Sequence, residues 1–298
     1  MKQLAALTAV LMIATAAFAT GQRESGDFAY GDIESLLVEG ETFNVEVIAT
    51  SADRVSMEVE NYPDDWTVYH SASGTAVRVW VERDFSLFSA PHRGRLVFRV
   101  PASTELTVDN STGDVAVTGL SGGVLELETS TGSIALDGLS GDVRANSTTG
   151  SIDIRTCDGT LLAESTTGSI RVVGFTGEVD SQSTTGEQRL EEIDGDIRAR
   201  STTGTIQLRD TEGRLSIDTS TGVQLGREVT LTGDSSFSAS TGSIEIDLTN
   251  ELDRLEFDLT STTGSLQVGN DRSQRRLFLG GTGITVTAST STGSQRFF

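Results

Sequence analysis

Ser147-Thr148-Thr149-Gly150-Ser151-Ile152-Asp153-Ile154 returns eighteen residues later as Ser165-Thr166-Thr167-Gly168-Ser169-Ile170-Arg171-Val172, and this recurrence decides the fold. Working outward, a Ser/Thr-rich step ending in glycine stands at Gly113, Gly132, Gly150, Gly168, Gly186, Gly204, Gly222, Gly242, Gly264 and Gly293. The five spacings between Gly132 and Gly222 are each 18 residues. The last three, 20, 22 and 29, predict turns that accept insertions.

Each unit divides in two. After the marker glycine, apolar residues alternate with polar ones, as in Ile134/Leu136, Ile152/Ile154, Ile170/Val172, Ile206/Leu208 and Ile244/Ile246, the signature of a half-buried strand. A second glycine (Gly123, Gly141, Gly159, Gly177, Gly195, Gly213, Gly233) opens another alternating stretch, with Leu125/Leu127, Val143/Ala145, Leu161/Ala163, Ile197/Ala199 and Leu215/Ile217 inward. The unit reads as two strands and two turns. A hexapeptide triangular helix would need an aliphatic residue every six positions, but Ile152 is followed at that step by Asp158 and Glu164.

One such coil cannot stand alone. Burying about three aliphatic side chains at roughly 1.5 to 3 kcal/mol each does not offset an ordering cost on the order of 1.5 kcal/mol per residue, so coils must stack and share a core. The expected fold is all-β: a parallel β-solenoid of about ten coils with an N-terminal β cap. Ser147, Ser165, Ser183 and Ser201 keep the inward parity of the second strand and predict a buried hydroxyl column. Outward neighbours such as Asp153, Arg171, Arg189 and Gln207, or Glu164, Gln182, Arg200 and Asp218, read as a solvated face in which mixed charges limit repulsion.

The segments flanking the repeat set its context. A basic start at Lys2, an apolar run from Leu4 to Ala17 and Ala17-Phe18-Ala19 form the pattern of a cleaved secretory signal, too short to span a bilayer. The expected division is a signal peptide at 1–19, a β cap at 20–103 and the solenoid at 104–298. The cap carries both tryptophans and all three tyrosines, with strands such as Phe43-Asn44-Val45-Glu46-Val47. A lone Cys157 excludes an internal disulfide. With 43 acidic against 22 basic residues, a net charge of −21 excludes nucleic acid and anionic lipid as main partners.

Val100-Pro101-Ala102, the run Leu106-Thr107-Val108-Asp109-Asn110-Ser111-Thr112-Gly113-Asp114-Val115, and the repeated Ser-Thr-Gly-Ser-Ile units resemble a bacterial domain-of-unknown-function family of β-strand-repeat proteins labelled putative adhesins. The resemblance covers roughly residues 30 to 298. It implies an exported right-handed β-solenoid and offers no catalytic residues to carry over. Gly186-Glu187-Gln188-Arg189-Leu190 and Gly222-Val223-Gln224-Leu225 depart from the pattern, which puts register or packing at issue there.

No catalytic, cofactor-binding or metal-binding residue is assigned. The turns carry hydroxyls where calcium-binding nonapeptides carry carboxylates, and His70 and His92 lie in no metal or triad motif. Two alternatives remain: a polysaccharide-acting β-helix enzyme, and an ice-binding solenoid built on the recurring Thr149, Thr167, Thr185 and Thr203. The leading expectation is a non-catalytic, adhesin-like envelope protein exported to the periplasm, cell surface or medium, without a membrane span in its mature part. Its partner would be an envelope protein or a glycan.

Overall fold

A computed structural model describes residues 28–61, 65–83, 94–281 and 283–298. The signal segment, Pro91 and His92 lie outside them. The described chain is almost entirely β, with long, mostly parallel strands in one unclosed sheet and a single 3₁₀ turn at Leu252–Arg254.

Parallel registers stack the units on one another. Ile134, Ile152, Ile170, Gln188, Ile206, Gln224 and Ile244 follow in one ladder, and Leu125, Val143, Leu161, Val179, Ile197 and Leu215 in another. Except for the two glutamines, these are the aliphatic columns of one continuous buried core. The expected two-turn unit is corrected, because the coil turns three times. In Ile152–Thr167 the inward side chains are Ile152, Ile154, Cys157, Leu161, Ala163 and Ser165. Alternation is therefore reset at Arg155-Thr156 as well as at the two glycine sites. Thr156, Gly174, Glu192 and Asp210 and Glu228 occupy that extra corner, all with φ between 49° and 68°. The residue after each points inward: Cys157, Phe175, Ile193, Thr211 and Val229 are buried. A step of six from Ile152 lands on Asp158 and misses Cys157 by one place.

The marker column is held from two directions. Marker glycine N–H groups donate to the threonine carbonyl of the neighbouring coil, as Gly132 does to Thr149 at 3.0 Å, Gly168 to Thr185 at 3.1 Å and Gly242 to Thr292 at 2.9 Å. Three buried hydroxyls return a bond to the glycine carbonyl of the preceding coil, Thr129 to Gly113 at 3.4 Å, Ser147 to Gly132 at 3.0 Å and Ser165 to Gly150 at 3.3 Å, whereas Ser183 donates to Ser201 Oγ at 3.4 Å. Those three hydroxyls thus pair carbonyls that the turn leaves short of donors. At the first coil the longer Asn110 takes the same place and donates to the Phe43 carbonyl. The second glycine column runs from Gly141 through Gly159 and Gly177 in register. Gly233 does not continue it, since Leu231 pairs with Gly213.

Gln188 and Gln224 keep the register and use the isoleucine position for a polar purpose. Gln188 Nε2 donates to Ser183 Oγ (2.8 Å) and to the Arg200 carbonyl (2.5 Å), while its Oε1 accepts from Ser181 Oγ (2.9 Å). Gln224 donates to Thr219 Oγ1 and the Ser238 carbonyl, and Gln295 to Thr290 Oγ1 and the Thr260 carbonyl. Each of these buried amides ties a coil to the next one.

Both ends depart from simple winding. The long C-terminal spacing is not only inserted turn. Thr285–Thr292 pairs on one side with Ser235–Thr241 and on the other with Glu256–Thr263, so the last stretch of chain lies between two earlier coils. Phe297 is fully buried there, 5.6 Å from both Phe237 and Phe257. The outer edges of the terminal coil are covered antiparallel by Arg276–Leu279 and Asp271–Ser273, which removes an edge open to foreign strands. At the other end Ser35–Glu39 and Asn44–Thr50 join the first coil in parallel. Antiparallel partners then close the stack, and the Tyr30 hydroxyl meets His70 Nδ1 at 2.5 Å across it.

Candidate functional site

Side chains that alternate outward from the second strand line up one rank per coil. Pairing connects Tyr69, Trp80, Glu39, Asp109, Glu128, Asn146, Glu164, Gln182, Arg200, Asp218, Ser238, Ser289 and Thr260 in a single column from end to end. Two shallow depressions lie along it. One, of about 600 Å³, is lined by the stretch from Asn146 to Ser238 and by the flanking corner hydroxyls Thr166, Thr184 and Thr202. The other, of about 580 Å³, surrounds Trp80, Arg78, Glu39 and Asp109 where the strands before the repeats meet the first coil.

The aromatic end is ordered by stacking and charge. Tyr69 and Trp80 lie face to face at 5.4 Å with 15° between their rings, a geometry worth about 0.5 to 1.5 kcal/mol beyond burial. The Arg78 guanidinium sits 5.1 Å from the Trp80 ring centre and its Nη2 reaches both Glu39 oxygens. Trp80 Nε1 donates to Glu82. Farther along, Arg200 Nη2 contacts both Asp180 oxygens at 3.0 and 3.1 Å. Arg144 lies 3.6 Å from Glu126 on the same face, and exposed Arg198 stands beside Asp180 in the ladder, so four arginines share the face with a larger number of carboxylates.

The turn markers rest against the backbone of neighbouring coils. Gly132, Gly150, Gly168, Gly186, Gly204, Gly222, Gly242 and Gly293 have φ between 143° and 157°; Gly113 and Gly264 lack that conformation but abut Phe43 and Gly293 backbone. Among the described residues no group of three His, Cys, Asp or Glu side chains is placed to hold a metal ion, and no helix is long and apolar enough to cross a membrane. Cys157 is a core residue: Leu139 N–H donates to its sulfur, the thiol donates to the Arg155 carbonyl, and burial pushes its pKa up. A buried thiol held protonated is a poor nucleophile.

Sequence reasoning found the Glu164 to Asp218 part of the column and took it for a solvated surface. It missed the aromatic end. Tyr69, Trp80 and Glu39 sit in the segment without markers, and only strand pairing puts them in line with the repeats.

Fold and site together define a stacked-coil β protein with a linear, open polar face. No family model matches the chain, and no sequence match among characterised proteins was found. Two solved structures align with the chain at very low identity. A putative adhesin from Bacteroides fragilis aligns over 93% of this chain and 99% of its own, with 8% identity and a TM-score of 0.38. A putative cell adhesion protein from Clostridium sporogenes aligns over 92% and 99%, with 6% identity and a TM-score of 0.19.

Proposed function

We propose that the chain is an exported, non-catalytic envelope protein of adhesin-like type that binds its partner along the polar column of the solenoid. One observation carries the reading: a face built of hydrogen-bonding side chains continues through every coil, while the described residues gather no catalytic set in a cleft. Function then belongs to a surface repeated along the rod, as solenoids commonly use it. In this reading residues 1–19 are a signal peptide, 20–103 cap the stack and 104–298 form the presenting rod, with the marker glycines as its structural turns. Cell fractionation with N-terminal sequencing tests export, with a mature protein starting at Thr20 expected. Capture of a glycan or envelope component from extract by the purified protein tests binding. Retention in the cytoplasm with Met1 intact would overturn the exported reading.

An ice-binding reading has one observation in its favour. Ten threonines, from Thr112 through Thr131, Thr149 and onward to Thr292 and Thr263, stand in register on one exposed corner. Thermal hysteresis in freezing solution would support it. The adjacent charged column makes that face less regular than an ordered water layer requires.

A further inference from the structure

We infer that the polar face takes an extended, uncharged polysaccharide laid along the rod, with one part of the chain resting at the Tyr69–Trp80 stack. The inference rests on the binding reading above and names its ligand class.

The chemistry of the column matches vicinal hydroxyls. Glu164, Asn146 and Gln182 offer planar carboxylate and amide groups, half-buried and held by strands on both sides. Such groups give and accept pairs of hydrogen bonds from neighbouring sugar hydroxyls. From Glu39 to Asp218 there are eight ranks, which at a strand spacing of about 4.8 Å span about 34 Å. A ligand using this length must itself be extended and periodic.

Two features select among periodic polymers. The Tyr69–Trp80 pair is partly exposed, and an aromatic platform suits the apolar face of a pyranose ring in a way that hydroxyls or carboxylates cannot. Charge supplies the second. Arg78, Arg144 and Arg200 are engaged by Glu39, Glu126 and Asp180, and together with Arg198 they are outnumbered by the carboxylates between Glu39 and Asp218, so an approaching anion meets a net acidic surface. Uronic-acid, sulfated and nucleic-acid polymers are repelled. A peptide adding as a strand finds no open edge between Trp80 and Asp218, because each of these ranks is paired on both sides.

The test titrates the full chain with β-1,4-glucan and β-1,4-N-acetylglucosamine oligosaccharides of increasing length, and with polygalacturonate. The neutral series is expected to bind more tightly as rings are added, and polygalacturonate not to bind. Trp80→Ala and Gln182→Ala should each weaken binding about tenfold, with Gln207→Ala on the other outward column unchanged and melting of Gln182→Ala unaltered. Preference for polygalacturonate, no binding of any oligosaccharide, or affinity indifferent to Gln182 would overturn the inference. If sugars fail but an envelope protein is captured and then lost with the same variants, the ligand class falls and the binding face stands. Capture of nothing removes both.

Discussion

A Cβ placed on Gly150 would lie 1.9 Å from the carbonyl oxygen of Gly132 one coil away. The backbone of one corner therefore rests directly on the next, and the φ of 153° at Gly150 adds a second reason for glycine. Gly150→Ala is expected to cost more than about 3 kcal/mol in urea unfolding. Gly74 is a useful contrast: its φ is 61°, but nothing lies within 4 Å of a Cβ there, so Gly74→Ala should cost only about 1 to 2 kcal/mol. Equal effects of the two would show that contact between the corners is not what fixes the marker.

The three core glutamines are unequally satisfied. Gln188 Oε1 has the Ser181 hydroxyl, but the corresponding positions beside Gln224 and Gln295 are Ile217 and Ala288, and both Oε1 atoms there are buried without a partner. Ala288→Ser should supply the missing donor and stabilise the protein by about 1 kcal/mol, while Ser181→Ala should cost about 1 to 2 kcal/mol. Thermal melting of the two variants decides it; a lower melting temperature for Ala288→Ser counts against the rung as described.

Thr211 raises the same issue in the third inward column. It lies between Ile193 and Val229, 1% exposed, and its hydroxyl has no partner. Thr211→Val keeps the shape and removes a buried polar group, so a gain of about 1 to 2 kcal/mol is expected. Loss of stability in calorimetry would mean that the hydroxyl is paired.

This column also shows where the sequence stopped being readable. Glycine marks the first and second corners because backbones touch there, so those turns repeat a letter. The third corner only needs a left-handed residue with free space outside, and Thr156, Gly174, Glu192 and Asp210 serve alike. Its inward neighbours tolerate any buried side chain that fills the space, from Cys157 to Phe175. Aliphatic alternation and the buried serines were legible because burial and hydroxyl pairing constrain residue type. The place of the terminal strand was not, since Thr285–Thr292 resembles any other repeat and its sequence position says nothing of its neighbours. For the same reason the outward column could be traced through the repeats but not into the segment before them, where pairing alone brings Trp80 beside Glu39.

Glu191 links acidity to stability. Its side chain is almost enclosed, with Arg189 Nη2 at 2.7 Å and Arg171 Nη2 at 3.3 Å, and the hydrogen bond from Arg189, then that from Arg171, hold its carboxyl below the usual carboxylate range. The folded state thus binds fewer protons than the unfolded one between the depressed and ordinary values. Its stabilisation is complete above the ordinary value and is lost as pH falls through the depressed one. Glu191→Gln should lower the melting temperature at pH 7, and the gap to the parent should narrow on acidification into the carboxylate range. A constant gap would dissociate this residue from the acid sensitivity.

Phe297 and Phe298 test the interleaved C-terminus. The register places Phe297 opposite Ile246 on one side and Val268 on the other, with Phe237 and Phe257 at its ring, whereas Phe298 is 39% exposed. Because the terminal strand supplies hydrogen bonds to coils on both sides, emptying its anchor should loosen the coil beyond it as well as itself. Phe297→Ala is expected to cost about 3 to 5 kcal/mol, and Phe298→Ala much less, within about 1 kcal/mol. Amide exchange should quicken in Glu256–Thr263 and Ser235–Thr241 together for the first variant and in neither for the second. If only Glu256–Thr263 responded, the last strand would lie outside the stack, at its end, and the sequential winding that the marker spacing suggests would be restored.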